Sequence, residues 1–205
     1  MDEAPLGGRS SMTDLFVFRH GETEYNREER IQGQIDVPLN DRGRAQAREL
    51  VPILGRHAPE IVLASDLARA RETAQIVASA LGLPVCTDPR LREVHLGEAQ
   101  GLLWSRAEEL FGVDFVRSWR TERSGEDVTF PGGETNGQVI RRVLEALEDH
   151  LCRRPSRRVA VATHGGVIRR LWDRMGSERS RPAEIPNATV YHFRYDPSSR
   201  QFSMA

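Results

Sequence analysis

The sequence predicts an α/β fold, a three-layer α/β/α sandwich with a mostly parallel central sheet and a small inserted cap region. Short aliphatic runs without polar alternation are typical of strands buried on both faces of a parallel sheet. Amphipathic helical patterns lie between these runs, and alternating strands and helices define the α/β class. The composition, with 39% hydrophobic and 29% charged residues, is that of an ordinary globular protein.

Three predicted strands each end in polar residues that can do chemistry. The aliphatic runs cover residues 15–18, 61–64 and 159–162, and they lead into Arg19-His20-Gly21, Ser65-Asp66 and Thr163-His164-Gly165. Ligands of open parallel sheets bind outside the carboxyl ends of the strands. We therefore expect these polar endings, together with the start of the helix that follows Ser65, to converge at one edge of the sheet.

Four helices are predicted from apolar residues that recur every three or four positions. They cover residues 41–57, 67–81, 137–151 and 166–175. Pro52 is expected to kink the first of these helices. Ser65 or Asp66 is expected to cap the start of the second helix, and Gly82 its end.

Two segments do not follow this alternation. Residues 97–135 contain two tryptophans, several charges and a Phe-Pro-Gly-Gly-Glu sequence. We predict one or two helices plus a loop there, forming a cap over the site within a single domain of residues 13–205; a plain surface excursion is the alternative. Residues 1–12 are predicted to be a disordered extension because they are rich in Gly, Ser and Pro, and Met12 is a possible alternative start.

The charge and cysteine content excludes several classes of function. All 29 basic residues are arginines, so lysine-dependent P-loop and Schiff-base chemistry is excluded. A net charge of −1 argues against nucleic acid or an anionic membrane as a partner. No signal peptide and no apolar run of the ~20 residues that span a bilayer is found. Two distant cysteines without a CxxC motif indicate a reducing, cytoplasmic location.

Two strand-ending histidines beside arginines favour anion chemistry over metal binding. HExxH and the expected acidic or cysteine ligands are missing, and Arg19 beside His20 would repel a cation. Arg19, Arg69 and a helix N-terminus could instead bind a phosphoryl group. A neutral histidine can attack phosphorus through one ring nitrogen while the other donates to a carbonyl oxygen.

Ordered motifs over about residues 15–170 resemble the histidine phosphatase superfamily, in its phosphoglycerate-mutase-like branch. The signature Arg19-His20-Gly21-Glu22-Thr23 is followed by matching segments at 30–34, 65–70, 91–97, 130–134 and 163–166. The resemblance implies that His20 is the nucleophile that becomes phosphohistidine. It also implies that Arg19, Arg69 and His164 hold the phosphoryl oxygens, and that Glu93 protonates the leaving oxygen and then deprotonates water.

The resemblance further implies substrate contacts from a second set of residues, namely Glu22, Thr23, Asn26, Gln32, Gly33 and Gly165. An alternative for Glu22 is that it orients Arg19. No metal or cofactor is implied, because arginines and a protonated histidine take the place of Mg²⁺. The expected partner is a small-molecule phosphate ester, and the oligomeric state stays open, with a homodimer among the options.

The function predicted on these grounds is a metal-independent phosphatase that hydrolyses small phosphate monoesters through phosphohistidine. One alternative is a cofactor-dependent phosphoglycerate mutase, although such mutases are longer and have a different acid segment. The other is a catalytically weak module that binds a phosphorylated ligand. Cysteine phosphatase chemistry is disfavoured: the Cys86–Arg92 and Cys152–Arg158 spacings fit C-x5-R, but their loops contain proline and no glycine.

Overall fold

The computed structural model describes residues 12–121, 127–175, 182 and 184–205. Six strands are found there: β1 (Thr13–Arg19), β2 (Ile61–Ala64), β3 (Val85–Thr87), β4 (Arg158–Thr163), β5 (Val190–Asp196) and β6 (Gln201–Met204). The α-helices in these ranges are α1 (Glu24–Arg27), α2 (Asp41–Gly55), α3 (Ala68–Leu81), α4 (Trp104–Phe111), α5 (Val113–Thr121), α6 (Asn136–Arg153) and α7 (Gly165–Met175). The predicted N-terminal extension lies outside the described residues, apart from Met12.

The strands form one sheet in the order β3-β2-β4-β1-β5-β6. Strands β3, β2, β4 and β1 pair in parallel, β5 is antiparallel to β1, and β6 is antiparallel to β5. The predicted mostly parallel sheet is therefore confirmed. In the β1–β4 pair Arg19 lies opposite Thr163, so the residues that follow each strand, His20 and His164, emerge side by side.

Helices cover both faces of the sheet, which confirms the three-layer sandwich. Successive side chains of a strand point to opposite faces. Leu15 and Val17 of β1 belong to one buried cluster with the apolar residues of α6 and α7. Phe16 and Phe18 belong to a second cluster with α2 and α3. The apolar core therefore lies on both sides of β1, and this buried strand holds the residues at its carboxyl end in place.

Helix α3 begins differently from the prediction. No side chain of its own N-cap residue, Leu67, accepts a hydrogen bond from the first turn. Asp36, from a distant loop, accepts a 2.6 Å bond from the Ala68 amide instead. Asp66 binds the guanidinium of Arg92 with both of its oxygens, and Ser65 Oγ accepts a bond from the Leu67 amide, which precedes the first turn. The predicted cap by Ser65 or Asp66 is therefore wrong, whereas the end of the helix at Gly82, with a φ of 66°, is confirmed.

The described parts of residues 97–135, namely 97–121 and 127–135, contain a 3-10 turn, α4 and α5, and they pack partly into the main core. Trp119 and Phe130 are buried, with ring centroids 5.4 Å apart, in the same cluster as α6. Leu103, Leu110 and Val113 are exposed. The segment is thus anchored by aromatic packing while its outer side faces solvent. None of the helices in the described ranges has the length and apolar character that crossing a membrane requires.

Candidate active site

His20 lies almost fully buried just beyond the end of β1, and its surroundings select one tautomer. Its Nδ1 atom lies 2.7 Å from the carbonyl oxygen of Gly21, and its Nε2 atom lies 3.2 Å from Nε of Arg69. A carbonyl oxygen only accepts and a guanidinium only donates, so both contacts require the proton on Nδ1. Nε2 therefore carries no proton, and its electron pair accepts the bond from Arg69.

The electrostatic environment keeps His20 neutral. Burial is the largest cause of a pKa well below 6.5, and the positive charges of Arg69 and Arg19 lower that pKa further. At neutral pH the ring is consequently neutral, with its one proton on Nδ1, and Nε2 has the electron pair that a nucleophile needs.

Arg69, in the first turn of α3, is completely buried against a tight loop. Besides its bond to His20, it donates to the carbonyl oxygens of Ile35 at 2.9 Å and Gly33 at 2.7 Å. Gly33 has a φ of 52°, and a Cβ there would overlap the side chain of Gln100, so the loop requires glycine. Burial lowers the pKa of Arg69 to about 10, which leaves it charged at neutral pH.

Arg19 and His164 complete the polar group at the ends of β1 and β4. Nη1 of Arg19 donates to the carbonyl oxygen of Ile185, whereas its buried Nε has no hydrogen-bond partner among the described residues. His164 is fully buried, with its ring centroid 5.2 Å from that of His20 in an edge-on arrangement. Both nitrogens of His164 likewise lack a partner within the described ranges. Burial first, then the charge of Arg69, lowers the pKa of His164 well below 6.5.

Glu93 faces the same cavity, with its carboxylate held by two backbone amides. Oε1 accepts a 2.9 Å bond from the Val94 amide, and Oε2 accepts a 3.0 Å bond from the Gly166 amide at the start of α7. A Cβ on Gly166 would overlap Oε1, so glycine permits this close approach. Both oxygens of Glu93 are thereby fixed relative to α7.

A second chain segment is bonded to the backbone of His20. Thr23 caps α1 and donates from Oγ1 to Gln32 Oε1 at 3.0 Å. Asn26 Oδ1 accepts from the Thr23 amide at 3.2 Å and from Asn187 Nδ2 at 3.3 Å. Asn187 Nδ2 also donates to the carbonyl oxygen of His20 at 3.0 Å. These bonds tie α1 and the segment before β5 to the nucleophile.

The cavity above these residues has a volume of about 560 Å³ and a wall rich in positive charge. Seven arginines and four glutamates line it: Arg19, Arg30, Arg42, Arg69, Arg120, Arg169 and Arg170, with Glu22, Glu29, Glu93 and Glu184. The guanidinium groups of Arg120 and Arg170 lie 4.6 and 4.5 Å from the ring centroids of Trp104 and Trp119. This wall suits an anionic ligand.

Comparison with known proteins identifies the family. The profile of the histidine phosphatase superfamily, branch 1, matches residues 15–204. The chain belongs to the histidine phosphatase superfamily. The family predicted from the motifs is therefore confirmed.

Curated relatives of this histidine phosphatase have phosphatase and mutase-like names. A phosphoglycerate mutase-like protein 4 from Arabidopsis thaliana is 40% identical over 184 residues, which cover 88% of this chain and 79% of the relative. A metal-independent phosphoserine phosphatase from the same plant is 36% identical, covering 88% of this chain and 76% of the relative. A glucosyl-3-phosphoglycerate phosphatase from Mycobacterium tuberculosis is 36% identical, covering 75% and 71% of the two chains.

Solved structures agree with these relatives. A mycobacterial glucosyl-3-phosphoglycerate phosphatase with bound VO3 superposes with a TM-score of 0.79 at 28% identity, covering 95% of this chain and 97% of the other. Bacillus stearothermophilus YhfR gives a TM-score of 0.76 at 30% identity, with coverages of 94% and 95%. The fold is therefore shared along nearly the whole chain, and this histidine phosphatase is a phosphoric monoester hydrolase.

Most of the residues predicted for the histidine phosphatase site come together at the cavity. Nine line it: Arg19, His20, Glu22, Asn26, Gln32, Gly33, Arg69, Glu93 and Gly165. His164 packs against His20 without lining the wall. Thr23 is fully buried as the cap of α1 and is not among the residues that line the cavity, and its expected substrate contact stays a prediction.

Glu22 is not placed to orient Arg19. Its Oε1 accepts a 3.0 Å bond from Asn40 Nδ2, and its Oε2 lies 3.6 Å from Nε of Arg42. The Arg19 side chain turns instead toward Ile185. Glu22 lies beside the beginning of α2, so its carboxylate contacts Asn40 and Arg42 instead of Arg19.

Sequence reasoning missed residues 184–187. The Ile185 carbonyl and the Asn187 side chain hold Arg19 and His20, although these residues lie more than 160 positions apart in the chain. The segment has no periodic pattern or recognised motif that could have signalled this contact. The only local signal is its position just before β5, which pairs with β1.

Proposed function

We propose that His20 Nε2 attacks the phosphorus of a small phosphate monoester and forms a phosphohistidine. The single observation that carries this proposal is the tautomer of His20, with Nδ1 bonded to Gly21 and Nε2 facing the guanidinium of Arg69. The new Nε2–P bond forms as the P–O bond to the leaving alcohol breaks. Arg69, Arg19 and His164 stabilise the negative charge on the three peripheral oxygens.

Glu93 acts in both steps as the proton carrier. In the first step, its protonated carboxyl gives a proton to the leaving oxygen. In the second step, its carboxylate takes a proton from water, the water oxygen bonds to phosphorus, and the Nε2–P bond breaks to release phosphate. The amides of Val94 and Gly166 hold the two carboxyl oxygens of Glu93 in place for both steps.

The reaction proceeds without a metal ion in this proposal. The arginines of the wall supply the positive charge that Mg²⁺ supplies in many phosphoryl-transfer enzymes. Among the described residues, no group of three or more His, Cys, Asp or Glu is arranged to hold a metal ion. The metal-independent phosphoserine phosphatase among the relatives is consistent with such chemistry.

The proposed substrate is a small phosphate ester that also carries a carboxylate. Two of the relatives are named for phosphoserine and glucosyl-3-phosphoglycerate, and both compounds have a carboxylate close to the phosphate. Arg120 stacks on Trp104 at the cavity wall, which orders its guanidinium for a planar anion. Hydrolysis of phosphoserine or 3-phosphoglycerate is therefore expected to exceed that of an uncharged alkyl phosphate.

The proposed organisation is a single domain of residues 13–205, in which residues 97–135 form a cap over the cavity. Trp104, Trp119 and Arg120 of this segment line the cavity, which supports the cap. The proposed location is the cytoplasm. The two cysteines, Cys86 and Cys152, are both free thiols, as a reducing compartment requires.

The test is phosphate release in EDTA from phosphoserine, 3-phosphoglycerate, a sugar phosphate and an aryl phosphate. His20→Ala is expected to lose roughly 10⁶-fold in kcat, the scale on which removal of a nucleophile acts. The matched control is His57→Ala, because His57 is exposed and stacks on Phe16 away from the cavity. Release that persists in His20→Ala, or that requires a divalent cation, would overturn the proposal.

A mutase is the second candidate, because some relatives carry the name probable phosphoglycerate mutase, for example a Serratia protein that is 37% identical. A mutase returns the phosphoryl group to bound product instead of to water. Incubation with 3-phosphoglycerate and a bisphosphoglycerate primer separates the two functions. Formation of 2-phosphoglycerate faster than inorganic phosphate would favour the mutase.

A further inference from the structure

Arg142, in the second turn of α6, fastens the loop that carries Glu93. Its Nη1 donates to the carbonyl oxygens of Arg90 at 2.6 Å and Arg92 at 2.8 Å, and its Nη2 donates to that of Glu93 at 3.0 Å. Nε and Nη2 also donate to the two oxygens of Glu134 at 2.7 and 2.9 Å. A guanidinium has five N–H donors, and these contacts use all of them.

Glu134 binds the same loop from the other side. Its Oε2 accepts a 2.7 Å bond from the His95 amide and a 3.3 Å contact from Gln34 Nε2. Burial alone would raise the pKa of Glu134, but the bonds from Arg142 and the His95 amide hold it below the ordinary value of 4.5. Glu134 is therefore ionised at neutral pH, and its negative charge compensates that of the half-buried Arg142.

Gln34 connects this ion pair to the phosphate-binding side of the site. Its Nε2 donates to the Glu93 carbonyl oxygen at 3.0 Å as well as contacting Glu134. Gln34 directly follows Gly33, whose carbonyl oxygen receives a bond from Arg69. A chain of hydrogen bonds thus sets the backbone of Glu93 relative to the arginine that contacts His20.

We propose that the Arg142–Glu134 ion pair is a positioning device for proton transfer by Glu93. The proposal rests on the proposed role of Glu93 as proton donor. Neither Arg142 nor Glu134 lines the cavity, so the pair acts through the loop and not on the substrate. A proton donor must lie within hydrogen-bond reach of the leaving oxygen, and a displacement of ~1 Å can cost about 10²-fold in rate.

This role predicts a dependence on the leaving group that a merely structural role lacks. An alkyl alkoxide is a poor leaving group and needs the proton from Glu93, whereas a nitrophenolate leaves without it. Weakened positioning therefore slows alkyl esters selectively. General loss of folded protein, or loss of phosphate binding, slows both kinds of ester by the same factor.

The experiment compares kcat/KM for phosphoserine and for 4-nitrophenyl phosphate, because kcat/KM reports the step in which the leaving group departs. In Arg142→Gln we expect a loss on the order of 10²-fold for phosphoserine and less than about 3-fold for the aryl ester. Arg142→Lys keeps the charge without the five-donor fork, and is expected to fall between Arg142→Gln and the unaltered enzyme. Glu134→Gln should show the same selectivity in weaker form. The matched control is Arg141→Gln, an exposed neighbour on α6, with both rates unchanged.

Melting temperatures of all variants show whether each is folded, and Arg142→Lys and Glu134→Gln decide the question if Arg142→Gln does not fold. Equal losses on both esters in these variants, beside a selective loss in Glu93→Gln, would overturn positioning and leave the role of Glu93 intact. If Glu93→Gln itself showed equal losses, the proposed role of Glu93 would be wrong, and the positioning proposal would fall with it.

Discussion

The inner and outer parts of the cavity are built on different principles. The inner part is the group around His20, Arg69, His164 and Glu93. Its two histidines and Arg69 are buried; His20 and Arg69 donate to backbone carbonyl oxygens, and Glu93 accepts from backbone amides. The outer part consists of α4 and α5, where Arg120 stacks on Trp104 and the outward side is exposed. The inner part is tied to the backbone by hydrogen bonds, which suits the precise positioning that phosphoryl transfer requires, whereas the outer part provides a charged and aromatic surface.

From this difference we propose that the inner part carries the chemistry and the outer part the substrate specificity. The inner residues are placed by the parallel pairing of β1 with β4 and by the start of α3, which belong to the core of the sheet. The outer residues depend on the packing of Trp119 against Phe130. Changes in the inner part should therefore affect every substrate, and changes in the outer part should affect only some.

Among the changes that compare the two parts, the largest effect is expected from Arg69→Gln. This change removes a buried positive charge that contacts His20, and it takes away the bond to the Gly33 carbonyl oxygen and one of the two bonds to that of Ile35. We expect kcat/KM to fall by ~10³-fold for alkyl and aryl esters alike, the upper range for one preorganised donor. The control is Arg71→Gln, on the exposed side of the same helix. If kcat/KM of Arg69→Gln fell for only one kind of ester, the inner part would not act on every substrate, and the distinction between inner and outer parts would be wrong.

Gly33→Ala and Gly112→Ala compare the two parts directly. Both glycines have positive φ, 52° and 93°. A Cβ on Gly33 would overlap Gln100, whereas a Cβ on Gly112 would have nothing within 4 Å. We expect about 3 kcal/mol less unfolding free energy for Gly33→Ala, from backbone strain plus overpacking, and about 1 kcal/mol for Gly112→Ala. Urea unfolding measures both, and equal losses would show that the inner loop can relax.

Stability should fall in mild acid because of the inner histidines. His20 and His164 have pKa values well below 6.5 in the folded chain, so the unfolded chain binds more protons as the pH drops below about 6.5. Each contributes a loss of up to ~1.4 kcal/mol per pH unit, or roughly 2.8 kcal/mol per unit together. Residues 97–135 contain no histidine, so this dependence reports on the inner part.

Urea unfolding between about pH 7.5 and 5.5 measures this slope. His20→Gln is expected to reduce the slope by about half, since one of the two groups no longer titrates. An unchanged slope in His20→Gln would mean that His20 is protonated in the folded chain, contrary to its contact with Arg69.

The smallest effect is expected from Arg120→Gln in the outer part. Loss of the stacked guanidinium is expected to weaken the binding free energy of a carboxylate-bearing ester by roughly 1 kcal/mol, which corresponds to about a 5-fold rise in KM. The rate on 4-nitrophenyl phosphate should not change. A similar loss of activity on both substrates would mean that Arg120 acts on every substrate, as the inner residues do, and the distinction between the two parts would be wrong.

Much of the sheet and its chemistry could be predicted from sequence because the relevant signals are local. The aliphatic runs before Arg19, Ser65 and Thr163 predicted β1, β2 and β4, and the glycine at 82 predicted the end of α3. Strands β3, β5 and β6 were not assigned. β3 has three residues, and β5 and β6 are partly exposed, so none has a continuous buried run.

Contacts made across long sequence distances could not be predicted. Asp36 caps α3 in place of Ser65 or Asp66, because folding brings a remote loop to the first turn while Arg92 occupies Asp66. Thr23 matches a site motif, yet its side chain turns inward to cap α1 and bond Gln32. In each case several local partners were chemically suitable, and tertiary packing selected one.

The sequence by itself determined the α/β class, the convergence of His20, His164 and Arg69 at one edge, and the identity of the family, because strand endings and motif order are written locally in the chain. Only the tertiary structure decided which nitrogen of His20 carries the proton, since that depends on the Gly21 carbonyl oxygen at Nδ1 and the Arg69 guanidinium at Nε2. It also decided that Arg142 and Glu134 hold the loop of Glu93. The donor and acceptor of each hydrogen bond depend on which atoms folding brings together, and the residue types alone do not determine those partners.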